Sequence, residues 1–174
     1  MASIQRGEVN NELFAWVVKN YSEHLYWQVR RIVISHEDAN DVMQNVMVKA
    51  WKALGGFRGE CKLYSWLYRI AINESLSYIA KQRSQAFVSL DDSDSFLLNK
   101  LEGDPYIDGD ETEIQLQKAI ITLPEKQRIV FQMKYFEEMK YDQMSEILNT
   151  SVGALKASYH HAVKKIEDYF NKHD

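Results

Sequence analysis

Cysteine occurs once in the 174 residues, at Cys61. A lone thiol excludes an internal disulfide framework and a cysteine-built zinc site. Proline occurs twice and glycine seven times, too few for a turn-rich all-β sandwich and suited to a helical protein. No apolar run approaches the roughly 20 residues a membrane-spanning helix needs. The first eight residues hold no apolar signal region, so the expectation is a cytoplasmic chain with no membrane insertion. Acids outnumber bases, 25 to 21, a balance that at first speaks against a nucleic-acid partner.

What the chain has reverses that impression. It is 45% hydrophobic and 26% charged, the composition of a folded protein. The charge is also unevenly spread. Residues 87–113 carry nine acids, from Asp91 to Glu113, against one base, Lys100, a net −8. Residues 1–86 are +3 and residues 114–174 are +1. Two mildly basic blocks flank an acidic stretch that also holds Gly103, Pro105 and Gly109 and lacks sustained periodicity. It reads as a linker, with at most a short turn around residues 96–101.

In the first block, Leu13, Phe14, Val17, Val18, Tyr21, Leu25, Val29 and Ile32 recur at steps of three and four, the mark of an amphipathic helix. Ser35 then opens an S-x-x-D start that resembles a capping box. The following helix buries Ala39, Val42, Met43, Val46 and Ala50 and ends at Gly55 and Gly56. A loop leads to a third helix with Leu63, Trp66, Leu67, Ile70, Ala71, Leu76 and Ile79 as inward candidates. Three such helices can enclose one small core. The block has no glycine-rich phosphate loop, no histidine pair at i, i+4 and no nucleophile beside a base.

In the last block, Pro124 suits the first position of a helix running to about Tyr135. A two-turn helix, residues 141–148, is followed by the compact turn Asn149, Thr150, Ser151 and a long helix to about Phe170. Val152, Leu155, Tyr159, Val163, Ile166 and Phe170 form its apolar stripe. Gly153, Lys156, Ala157, His160 and Lys164 form another face. From Ser151 to Ile166 there are three lysines, two histidines and no acid. A short helix, a tight turn and a longer helix with one small-and-basic face is a helix-turn-helix pattern. Small residues let the backbone approach base edges, and Lys156 can reach guanine acceptors in the major groove. Adjacent His160 and His161 point to different faces, and Asp104, Asp108 and Asp110 miss the calcium-loop spacing. No metal and no cofactor are expected.

Two stretches resemble the bacterial sigma-70 family, in its small extracytoplasmic-function (ECF) group. DANDVMQNVMVKAW (38–51), FRGE (57–60) and SWLYRIAIN (65–73) resemble sigma region 2. LPEKQRIVF (123–131), YDQMSEIL (141–148) and SVGALKASYHHA (151–162) resemble sigma region 4. The resemblance implies an all-α chain of two small helical domains: a region 2 three-helix bundle at 10–86 and a region 4 helix-turn-helix at 114–174. The acidic linker, 87–113, joins them.

It implies a transcription initiation factor, not an enzyme, whose partners are core RNA polymerase, promoter DNA and an anti-sigma factor. Asp38, Asp41, Gln44, Asn45 and Val48 then fall on the polymerase-docking helix. Phe57, Arg58, Tyr68, Arg69, Asn73, Lys81 and Arg83 serve the melted −10 element, where single-strand capture needs a pocket, stacking surfaces and positive charge. Ser151, Gly153, Lys156, Ala157, His160, His161, Lys164 and Lys165 read or hold the −35 duplex. Ile72 departs from the pattern, standing where the family often has a basic residue. On the residues alone, two rivals stay open: a helix-turn-helix regulator acting without polymerase, and an adaptor using both blocks for protein contacts.

Overall fold

The computed structural model describes residues 11–107 and 109–174; Asn10 and Asp108, which the domain limits and charge count include, lie outside them. The chain divides into two compact units, one ending at Gln82 and the other beginning at Arg83. Among the described residues every regular element is helical, and no helix is long and apolar enough to cross a membrane.

The first unit contains α1 (Asn11–Val33), α2 (His36–Leu54) and most of α3 (Leu63–Gln85). The expected stripe of α1 turns inward at Val17, Leu25, Val29 and Ile32. Ser35 caps α2, its hydroxyl accepting from the Asp38 amide at 3.2 Å. That satisfies one of the amides a helix start leaves unpaired. Ala39, Val42, Val46 and Ala50 form the buried face of α2, as their spacing predicts, with Leu54 at its end, and Gly55 caps the helix; Met43, expected with them, is only half-buried. On α3 the inward face is Leu63, Ser65, Leu67, Tyr68, Ala71, Ile72, Ser75 and Ile79. Trp66, Ile70 and Leu76, expected inside, are only half-buried. Ile72 is part of the core.

In the second unit a 3-10 turn, Leu90–Asp92, leads into α4 (Ser93–Glu102), followed by α5 (Glu111–Ile121), α6 (Glu125–Tyr135), α7 (Tyr141–Leu148) and α8 (Val152–His173). Its core joins Ala119, Ile120 and Leu123 to Phe131 of α6 and to Ala162 and Ile166 of α8. Pro124 is not the first helical residue. It is the capping residue before α6, with extended backbone at ψ 143°, and its carbonyl accepts the Arg128 amide at 2.9 Å. Arg128 in turn is buried and its guanidinium donates to the Ile121 carbonyl at 3.1 Å, closing the α5–α6 connection. Burial pulls its pKa down, opposed by the charges of Glu125 and Asp94.

Part of the acidic stretch is structured. Where a short turn was expected, α4 forms a ten-residue helix. Leu97 and Leu101, four residues apart and so on one face, are buried. Glu102 of α4 pairs with Lys118 of α5 at 3.9 Å. The apolar residues from Phe96 to Leu101 span fewer than two turns, too short for periodicity to tell a helix from a turn; Leu97 and Leu101 find their cover in the tertiary fold.

Candidate nucleic-acid interface

On α2 the exposed residues Asp41, Gln44, Asn45 and Val48 stand at steps of three, one and three. They form one continuous stripe opposite the buried face. Val48 is 51% exposed, an apolar residue left open in the middle of a polar stripe. Lys49, beside it, pairs with Glu74 of α3.

Asp38 corrects the expectation that it belongs to this surface. It is 8% exposed, and its carboxylate accepts from the Tyr78 hydroxyl at 3.0 Å and from the Gln82 side-chain amide at 3.1 Å. It ties α2 to α3. Tyr78 also donates to Asp41 at 3.3 Å. Burial, then the charges of Asp38 and Asp41, raise the Tyr78 phenol above its ordinary range.

Beyond α2, the loop at 57–61 turns sharply at Gly59, whose φ of 74° suits glycine. It borders an open cavity of about 400 Å³ lined by Tyr21, Phe57, Gly59, Cys61, Lys62 and Tyr64, with Leu63 at its base. Phe57 is largely buried and packs on Trp66 at 5.2 Å between ring centroids. Arg58 is exposed. Arg69 is half-buried and Asn73, one turn further along α3, is exposed; Lys81 is exposed and Arg83 half-exposed.

Tyr68 is the second correction. It is 0% exposed, with its ring 4.3 Å from that of Tyr64, and offers DNA no surface. Ala71, Ile72, Ser75 and Ile79 follow it at i+3, i+4, i+7 and i+11, so helical geometry carries it inward with them. The aromatic residues that do reach the cavity are Phe57, as expected, and Tyr21 and Tyr64. Sequence reading placed Tyr21 only on the apolar stripe of α1 and passed over Tyr64, because neither residue's neighbour across the helices is visible in the chain order.

In the second unit every residue expected at the −35 duplex lies at the surface, while Val152, Tyr159, Val163 and Phe170 of the expected apolar stripe are only half-buried. Ser151, Gly153, Lys156, Ala157, His160, His161, Lys164 and Lys165 are all exposed, while Leu155, Ala162 and Ile166 of the same helix are buried. Asn149 makes the turn in left-handed conformation at φ 50°, which asparagine tolerates. The Ser151 hydroxyl accepts the Ala154 amide at 3.2 Å, so this residue caps α8 from the exposed side. A Cβ added at Gly153 would meet nothing within 4 Å. No packing among the described residues calls for glycine there. Lys165 donates to the Gln127 side chain at 3.0 Å.

Tyr141, the first residue of α7, was not singled out from the sequence. The Lys134 ammonium lies 4.5 Å, and that of Lys156 5.7 Å, from its ring centroid. Tyr159 of α8, half-buried against Phe131 at 5.8 Å, has its phenol raised by burial and by the neighbouring Tyr141 and Tyr135. Among the described residues no group of three or more metal-ligating side chains comes together.

Known proteins share this arrangement. The family model for Sigma-70 region 2 matches residues 17–85, and that for Sigma-70, region 4 matches residues 113–166. The RNA polymerase sigma-H factor of Pseudomonas aeruginosa is 28% identical, over 94% of this chain and 88% of its own. The ECF sigma factor SigW of Bacillus subtilis is 26% identical over 90% and 87%, and the ECF sigma-E factor of Escherichia coli 27% over 95% and 89%. Two solved structures share the fold. One is CnrH in complex with the cytosolic domain of CnrY, at TM-score 0.70 and 20% identity, covering 99% of this chain and 96% of that one. The other is the sigma factor RpoE in complex with the anti-sigma factor NepR from Bartonella quintana, at 0.67 and 18%, covering 91% and 96%. With both regions matched in order and relatives of the same kind along nearly its whole length, the chain belongs to the sigma-70 family of transcription initiation factors, in its ECF group.

Proposed function

We propose that this chain docks on core RNA polymerase through the α2 stripe Asp41, Gln44, Asn45 and Val48 and directs it to promoters with both units. The α8 face lies in the major groove of the −35 duplex. There Lys156 reads base edges near the start of the helix, and Lys164 and Lys165 hold phosphates. The cavity beside the 57–61 loop takes a base from the melted −10 strand, with Tyr21 and Tyr64 as stacking surfaces and Arg58 and Lys62 as phosphate partners. Arg69, Asn73 and Lys81 line the path of the same strand. Polymerase performs the chemistry; this chain supplies binding energy and no catalytic group. Two weak modules on one chain raise each other's effective concentration at the promoter. An anti-sigma protein that covers these surfaces fits a factor of this kind, and the working place is the cytoplasm, on the nucleoid when active.

The observation that carries the reading is α8, along which all eight residues assigned to the −35 duplex are exposed and no acid intervenes from Ser151 to Ile166. The test is transcription from promoter templates by purified core polymerase with and without the chain. Specific initiation is expected only with it. Lys156→Ala should relax base preference at one −35 position, and Lys164→Ala should weaken all duplexes alike and lower the salt slope by roughly one. Promoter-independent transcription, or equal effects of the two substitutions on every duplex, overturns the reading.

A further inference from the structure

The ring of Tyr141 is half-buried between two lysines, and Lys156 is exposed. Tyr141 opens α7 at a capped start, where the Gln143 side chain accepts from the Lys140 amide at 3.2 Å. Lys134, on the preceding helix, is held by donating to the Met139 carbonyl at 3.1 Å while its ammonium lies 4.5 Å from the Tyr141 ring. Lys156 stands on the exposed face of α8, and its ammonium lies 5.7 Å from the same ring, at the outer limit of cation–π attraction. A long lysine side chain on an open face samples many rotamers, and binding a base through it loses that freedom. A ring already occupied by one ammonium holds a second one weakly: enough to bias its direction, little enough to release it to a base.

We propose that Tyr141 is a positioning residue for Lys156, holding its ammonium at the entrance of the recognition helix and thereby sharpening the base preference Lys156 carries. The inference rests on the assignment of Lys156 as a base reader. It adds a specificity determinant on the first helix of the helix-turn-helix, outside the DNA-facing set.

The test uses the full chain bound to core polymerase and a pool of DNA duplexes randomised in the upstream half. Duplexes enriched by the unchanged protein are then compared with their single-base variants. Lys156→Ala identifies the base position Lys156 reads. Tyr141→Leu, which removes the ring's charge distribution, should lower discrimination at that same position by about two- to fivefold, with little change elsewhere. Tyr141→Phe keeps the ring and should match the unchanged chain. The double variant Tyr141→Leu with Lys156→Ala should be no worse than Lys156→Ala alone.

Independently of any change at Tyr141, the Lys156 Hε protons should resonate upfield of those of the other exposed lysines, assigned by their loss in Lys156→Arg. Additive losses in the double variant, a uniform loss over all bases, or unshifted Lys156 protons overturn the proposal. If Lys156→Ala itself leaves every base preference intact, the base-reading assignment fails first, an outcome distinct from the failure of Tyr141 to position it.

Discussion

Asp38 sits within the stretch that resembles a polymerase-docking motif, yet the fold uses it internally, and the two roles predict opposite outcomes for Asp38→Ala. Its carboxylate holds the Tyr78 hydroxyl and the Gln82 amide at 3.0 and 3.1 Å. A hydrogen bond to a charged acceptor contributes about 1.5–3 kcal/mol net. Neither donor is stranded by the substitution, since Tyr78 keeps Asp41 at 3.3 Å and Gln82 is only half-buried. The expected loss is therefore nearer one such bond than two, about 2 kcal/mol. In urea that moves the unfolding midpoint down by on the order of 1 M.

The assay is selective by the accident of composition. All four tryptophans, Trp16, Trp27, Trp51 and Trp66, lie in the first unit, so their fluorescence follows that unit alone. Asp41→Ala, at an exposed site whose bond to Tyr78 is the longer one, should shift the midpoint by less than about a third as much. It should instead weaken binding to core polymerase. If Asp38→Ala keeps the midpoint of the unchanged chain and abolishes polymerase binding, the structural role of Asp38 is refuted and the docking role restored.

Two further outcomes are expected. Tyr78 is held neutral by burial and by two carboxylates, so its pKa lies above the ordinary 10.0. The stability it contributes is fully present below pH 10 and is lost as the pH rises beyond it, because the unfolded chain then ionises first; the tryptophan-monitored midpoint should fall more steeply above pH 10 in the unchanged chain than in Tyr78→Phe, and parallel profiles would count against the coupling. Gly153→Ala meets no obstruction within the chain, so it should stabilise the second unit by about 0.5–1 kcal/mol through helix propensity; its far-UV melting temperature should rise while affinity for a −35 duplex falls, and a rise with unchanged affinity places Gly153 away from DNA.

Much of this protein was legible in the order of its residues. Repeats of three and four at Ala39, Val42, Val46 and Ala50, or at Leu155 and Ile166, mark a buried helical face whatever it packs against. The same repeats leave the opposite face to solvent, which is why the Asp41, Gln44, Asn45 and Val48 stripe and the whole α8 set stand where their spacing puts them. Caps are local as well, and Ser35 and Ser151 needed only their own next three residues.

What the chain order could not decide is who meets whom across helices. Asp38 is one turn from Asp41 and equally polar; Tyr78 and Gln82, some 40 residues on, hold it inside. Tyr68 looks like a stacking residue until α3 is rotated against its neighbours and carries it into the core. The apolar stretch of α4, Phe96 to Leu101, is too short to announce a helix, and the cover supplied by the second unit makes one. The cavity wall at Tyr21 and Tyr64, and the ring of Tyr141 beneath two lysines, are likewise contacts between elements. Periodicity reports which side of a helix is buried; burial and pairing of a particular polar or aromatic group depend on side chains that only the tertiary fold brings within a few ångströms.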